Sequence, residues 1–220
     1  MPDSKHIYNI AHRGARSLAP ENTMPAFVKA WQTGAQGVEA DISVTSDGTL
    51  ILFHDDTFIR TTDISEIFPK RKKDPLHTFT WEEVQTLDAG SWFLEEDPFE
   101  TIKNGEVTLE EQQAMTNTSV PQLEELLLFV REKSLFINLE IKCLPKAIAN
   151  FPIVEKVLLL LDSEQLPSGM FSISSFNHGY LKTVKRFRPD IEVNAIIGGY
   201  PFLTNDWGKF EFAVYTANAK

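Results

Sequence analysis

Six short apolar runs alternate with helical patterns along most of the chain, and no other feature restricts the fold as much. The runs cover residues 7–11, 38–44, 49–53, 135–141, 170–174 and 191–197. A helical stripe of Met24, Phe27, Ala30 and Trp31 follows the first run, with Asn22 or Thr23 as its cap and Gly34 as its stop. Further helices are predicted over 123–133, opened by Pro121, and over 154–161 and 180–187. Strands separated by helices in this way make βα units, which assemble into a parallel sheet. The region 55–122 breaks the rhythm. It holds the basic run Lys70-Arg71-Lys72-Lys73, a short helical pattern over 81–87 and a polar stretch over 101–117. It is expected to leave the sheet as a partly mobile excursion, with the basic run as a solvated loop.

Composition narrows the class of function. At 220 residues, 42% hydrophobic and 24% charged, the chain suits a single domain with a sizeable core. A net charge of −10 argues against a general nucleic-acid binder, which carries a basic surface. The opening MPDSKH lacks the layout of a secretory signal, and no window approaches the ~18 apolar residues of a membrane span. Cys143 is the one cysteine, so no intrachain disulfide forms. A soluble, cytoplasmic protein is expected, with neither a nucleic-acid partner nor an integral membrane segment.

Charge inside the apolar runs carries the functional signal. Glu39 and Asp41 flank Ala40, and strand alternation sends both to one face. Glu140 and Lys142 repeat the spacing around Ile141 at the end of another run. Buried charge is costly unless it is paired or binds a metal. One such pair alone would be read as the exposed face of an edge strand; two together point to a site. Asp47-Gly48 is a hairpin signal, and a two-residue turn there sets Asp41 directly opposite His54. The first run ends in His12 and Arg13. Three carboxylates suit a hard divalent cation such as Mg²⁺ or Ca²⁺. Arg13 and Lys142 suit phosphate oxygens, and two histidines supply one proton donor and one acceptor. These parts fit metal-assisted cleavage of a phosphodiester.

The same residues resemble the glycerophosphodiester phosphodiesterase family. The likeness rests on His12-Arg13-Gly14 with Pro20-Glu21-Asn22-Thr23, on GVEADISVTSDGTLILFHDDTFIRTT, and on Leu87-Asp88-Ala89-Gly90-Ser91-Trp92-Phe93. It continues through Pro121-Gln122-Leu123-Glu124-Glu125, Asn138-Leu139-Glu140-Ile141-Lys142 and Ser174-Ser175-Phe176-Asn177, roughly over residues 6–197. The resemblance implies an α/β fold of the TIM-type (β/α)8 barrel class, with its site at the C-terminal mouth of the strands. It implies His12 and His54 as the acid–base pair, and Glu39, Asp41 and Glu140 as the metal site, for Mg²⁺ or Ca²⁺; of the two histidines, His12 is the favoured base. Arg13 and Lys142 would bind the substrate phosphate, and Glu21 and Asn22 would support the first loop. The excursion at about 55–120 corresponds to the family's insertion within a single barrel domain spanning 1–220.

The expected reaction is hydrolysis of a glycerophosphodiester to glycerol 3-phosphate and an alcohol. The alternatives are a lysophospholipase D, with Phe58, Ile64, Ile67 and Phe68 forming an apolar lip, or a non-catalytic phosphodiester-binding relative. After residue 197 the chain is too short for all eight units, so the barrel is expected to be incomplete or open at its C-terminal end; residues 214–218 resemble only one of the later strands. His6, His77 and His178 are expected to face solvent, Phe176 to pack beneath the site, and Cys143 to turn away from the mouth.

Overall fold

A computed structural model describes residues 9–197. Residues 1–8, which include His6 and the start of the first predicted strand, and 198–220, which include 214–218, lie outside the described residues. The chain enters through β1 (Ile10–His12), α1 (Met24–Gln32), β2 (Gly37–Val44) and β3 (Leu50–Leu52). Four short helices follow, α2 (Ile64–Ile67), α3 (Trp81–Val84), α4 (Ser91–Glu96) and α5 (Leu109–Met115). The βα rhythm then resumes with α6 (Leu123–Lys133), β4 (Phe136–Ile141), α7 (Ile153–Ser163), β5 (Phe171–Ser175), α8 (His178–Phe187) and β6 (Glu192–Ala195).

The sheet runs β1-β2-β4-β5-β6, all parallel, with β3 added antiparallel to β2. Among the described residues β1 and β6 do not pair, so these residues form an open arc of a TIM-type (β/α) barrel. All eight residues of β2 are buried. Val38, Ala40, Ile42 and Val44 face outward into a core shared with Phe27 and Ala30 of α1, Leu126, Leu127 and Val130 of α6, and Val157 and Leu161 of α7. Burying one such side chain stabilises by about 1.5–3 kcal/mol, so this face holds the helices on the sheet. The opposite face carries Glu39 and Asp41, in register with Asn138 and Glu140 on β4, which in turn lie beside Ser172 and Ser174 on β5.

Two local expectations change. Trp31 leaves the predicted stripe of α1; it is half-exposed and lies under the Lys133 ammonium, 4.6 Å from its ring centre. Thr23 is the N-cap residue of α1, yet its hydroxyl donates to Pro20 O (2.6 Å) and accepts no N–H from the helix end.

The turn between β2 and β3 is a larger correction. Ile42 pairs with Leu52 and Val44 with Leu50, so the connection has three residues, Ser46 to Gly48, with Gly48 at φ +85°. Asp-Gly fits this turn as well as the two-residue one, because glycine in the left-handed region can close either. The register therefore slips by one. Phe53, not His54, stands opposite Asp41 and donates its N–H to the Asp41 carbonyl (3.0 Å).

The excursion after His54 builds cores of its own. Phe58, Ile64, Leu76, Phe79, Val84 and Leu87 pack with Ile51, Phe53 and Val120. Phe93, Val107 and Met115 pack with Ala19 and Ala26 from the first loop and helix. Capping boxes at Thr80/Glu83 and Thr108/Glu111 start α3 and α5. In the basic run Lys70, Lys72 and Lys73 are exposed. Arg71 is partly exposed; it lies over Phe79, 4.1 Å from the ring centre, and pairs with Asp74 and Glu83.

Candidate active site

The chain leaves β1 through a strained turn. Arg13 has φ +58° and Gly14 +77°, and a Cβ on Gly14 would stand 2.7 Å from the Ala26 backbone. Only glycine fits there. The strain turns the Arg13 N–H onto Glu39 Oε2 (2.9 Å) and its guanidinium onto Asp41 Oδ2 (3.1 Å) and Glu21 Oε1 (2.9 Å). Asn22, also left-handed at φ +55°, exchanges two hydrogen bonds with Asp41: its Nδ2 donates to Oδ2 (2.8 Å), and its Oδ1 accepts from the Asp41 N–H (3.2 Å).

Glu39, Asp41 and Glu140 converge on one point, each offering a carboxylate oxygen within 4.8 Å of the others. Lys142 stands beside them, donating to Glu140 Oε1 (2.8 Å) and lying 3.4 Å from Asp41 Oδ1. Two of the site's oxygens, Glu39 Oε1 and Asp41 Oδ1, are buried without a hydrogen-bond partner. Burial first, and the charge of Asp41 second, push the Glu39 carboxyl well above the usual range. Three converging carboxylates, two of them with an unpartnered buried oxygen, fit a hard divalent cation.

His12 lies 3.7 Å from Glu39 through its Nε2. Partial burial, then the charges of Arg13 and Arg16, lower its pKa to about 4, so the ring is neutral at pH 7. His54 does not reach the carboxylates by strand pairing. It follows β3 in a loop, and its Nδ1 contacts Asp55 Oδ1 (2.6 Å). Burial opposes ionisation of Asp55, but hydrogen bonds from His54 and Arg60 outweigh it and hold the carboxyl below the usual range. Glu21 follows the same logic, its burial outweighed by Arg60 and Arg13. For Lys142 the pull of Asp41 and Glu140 exceeds the effect of burial and raises its pKa.

The structure thus gathers Glu39, Asp41, Glu140, Arg13, Lys142, Glu21, Asn22 and His12 around one strand-end mouth, with His54 joined to them through Asp55, Arg60 and Glu21. Sequence reasoning gave no role to Asp55 or Arg60, or to the buried ladder in which Ser172 donates to Asn138 and Asn138 to Ser174 (both 2.9 Å). Asp55 and Arg60 lie in the stretch HDDTFIRTT, but a loop has no periodicity to show what they face. The expected apolar lip does not form: Phe58 and Ile64 are buried in the excursion's core, Phe68 is partly so, and Ile67 alone is exposed. Phe176 is half-exposed and does not pack beneath the site, Cys143 is exposed, and His178 contacts the Ile196 carbonyl (3.1 Å).

Residues 12–217 match the sequence profile described as the glycerophosphoryl diester phosphodiesterase family. The chain belongs to that family. A glycerophosphodiester phosphodiesterase of Caldanaerobacter subterraneus is 35% identical over 187 residues, which is 85% of this chain and 65% of the relative. A mouse glycerophosphoinositol inositolphosphodiesterase is 38% identical over 137 residues, 62% of this chain and 25% of the relative. The chain therefore spans under two thirds of either relative's length.

Solved structures of the family agree on the fold. One is an Oleispira antarctica phosphodiesterase in complex with the product sn-glycerol-3-phosphate, at TM-score 0.69 and 26% identity over 90% of this chain and 68% of that one. Another is an Agrobacterium tumefaciens glycerophosphodiester phosphodiesterase, at 0.64 and 25% over 84% and 64%. Among the described residues, no helix of this family member is long and apolar enough to cross a membrane.

Proposed function

We propose that this chain hydrolyses glycerophosphodiesters to glycerol 3-phosphate and an alcohol. The observation that carries the reading is the mouth itself, where an acidic triad with unpartnered buried oxygens lies beside Arg13, Lys142 and His12. Arg13 and Lys142 draw the anionic phosphodiester into the mouth and orient it. The neutral His12 accepts the proton of the attacking hydroxyl, from water or from the substrate's own glycerol. His54, oriented through its Nδ1 by Asp55, gives a proton to the departing alkoxide. With water as nucleophile, one P–O bond forms as another breaks. With the glycerol hydroxyl, the cyclic phosphate so formed is opened by water in a second displacement, the two histidines exchanging roles. Glu39, Asp41 and Glu140 would hold a divalent cation, Mg²⁺ or Ca²⁺, whose charge offsets that of the phosphoryl oxygens.

Glycerophosphocholine and glycerophosphoethanolamine are the substrates to assay, with release of glycerol 3-phosphate as the signal. Release is expected with Mg²⁺ or Ca²⁺ and is expected to cease in EDTA. Undiminished turnover in EDTA removes the metal from the reading, and binding without product in either cation removes the catalysis. Burial of Phe58 and Ile64 removes two of the four side chains on which the reading for acylated substrates rested.

A further inference from the structure

Arg60 comes from the start of the excursion, outside the barrel strands, and its side chain is 43% exposed. Even so, its guanidinium meets all four oxygens of two carboxylates. Nε and Nη2 donate to Asp55 Oδ2 (2.6 Å) and Oδ1 (3.0 Å), while Nη1 and Nη2 donate to Glu21 Oε2 (3.1 Å) and Oε1 (2.7 Å). Each carboxylate passes the contact onward. Glu21 Oε1 also accepts from Arg13 Nη1, and Asp55 Oδ1 meets His54 Nδ1. An ionised Asp55 accepts from Nδ1–H of His54, which leaves Nε2 as the atom to carry the proton that the departing alkoxide takes.

The backbone around Arg60 is held on both sides. Phe58 is buried in the excursion's core, Thr61 and Thr62 are buried, and the Thr62 hydroxyl donates to the Phe58 carbonyl (2.6 Å). The fork is therefore presented from a fixed base. Exposed ion pairs contribute little to stability, about 0–1 kcal/mol. Two bidentate contacts on one planar group act mainly on geometry, which a lysine cannot reproduce.

We propose that Arg60 is a positioning residue: by gripping Glu21 and Asp55 together, it sets Arg13 and His54, which lie in loops after separate strands, in one mutual arrangement. The folding of the excursion then completes the alignment of the two loops. This inference rests on the proposed phosphodiesterase reading, and its test separates the two.

The variants are Arg60→Gln, Arg60→Lys, Asp55→Asn and the double variant Arg60→Gln/Asp55→Asn. Arg71→Gln serves as a control, since Arg71 makes a comparable ion-pair cluster elsewhere in the excursion. With glycerophosphocholine, both Arg60 variants are expected to lose about 10- to 100-fold in kcat, the usual cost of a supporting contact. Arg71→Gln is expected to keep wild-type kcat. The double variant is expected to be slower than Asp55→Asn by clearly less than the full Arg60→Gln factor, because Arg60 acts on His54 only through Asp55 and keeps a separate arm to Arg13 through Glu21.

Imidazole ¹⁵N spectra of His54 need no substrate. They are expected to show a protonated Nδ1 in the wild type and partial loss of the Nδ1 proton in both Arg60 variants. Wild-type kcat in Arg60→Lys, multiplicative losses in the double variant, an equal loss in Arg71→Gln, or an unchanged Nδ1 proton on His54 would each overturn the role of Arg60. If the wild-type protein turns nothing over, the phosphodiesterase reading fails, and the His54 spectra alone decide the positioning role.

Discussion

The two faces of β2 are equally buried and opposite in chemistry. Val38, Ala40, Ile42 and Val44 meet only apolar partners, and their burial stabilises the fold. Glu39 and Asp41, between them in sequence, sit among like charges with buried oxygens that lack hydrogen-bond partners. A chain selected for stability alone has no reason to keep the second face. Burial by itself therefore does not mark a core. What marks the mouth is polar burial that is only partly satisfied, and the unspent lone pairs are what remain to bind a ligand.

The largest effect that sharpens this contrast is expected from His54→Ala. It should lower kcat by about 10²- to 10⁴-fold with the melting temperature nearly unchanged, as read by steady-state kinetics and thermal melts. A marked loss of stability instead would place His54 with the structural face. Ile42→Ala, on the outer face, should do the reverse. It should cost about 2–5 kcal/mol in a denaturant titration, while kcat per folded molecule stays within about twofold. If Ile42→Ala abolished catalysis in protein that remained folded, the two faces would not be separable.

Glu39→Gln is expected to have a smaller and opposite effect on stability. The raised pKa of Glu39 means that its protonated form fits the metal-free fold better than the ionised one. That penalty is absent below the ordinary value of 4.5 and grows as pH rises above it. In EDTA at pH 7 the variant should melt at the same temperature or up to about 3 °C higher, with the gap closing toward pH 4.5. The stabilisation gained on adding Mg²⁺ or Ca²⁺ should shrink, since a ligand stabilises according to its affinity for the folded state. A lower melt in EDTA with the metal-induced shift intact would make Glu39 a structural partner of Arg13. The smallest effect is expected at the exposed Lys103–Glu100 pair, which belongs to neither face. Lys103→Ala should change stability by less than about 0.5 kcal/mol and leave kcat alone.

Much of this was legible in the residues before any coordinates. The βα rhythm placed six strands and four main helices, and the helix over 123–133 matched to the residue. Charge on one face of an apolar strand pointed to Glu39 and Asp41, and the repeat at Glu140 and Lys142 pointed to their neighbours. Periodicity failed where the chain has none. The turn at Gly48 chose three residues over two, which moved Phe53 into the place expected for His54. The excursion, read as partly mobile, packs two aromatic-lined clusters whose members are scattered in sequence, so no window could reveal them.

What the sequence determined by itself is therefore local and periodic: which segments are strands, which of their faces are apolar, and which charges lie on the polar side. These follow from backbone geometry, which repeats every two residues in a strand and every 3.6 in a helix. What only the tertiary structure decided is long-range. Asp41 meets Asn22, Arg13 and Lys142, and Arg60 clasps Glu21 across 39 positions. Such contacts depend on the order in which strands pair and on how loops close over their ends. Neither leaves a local signature, because side chains far apart in sequence are brought together by packing and not by their neighbours in the chain.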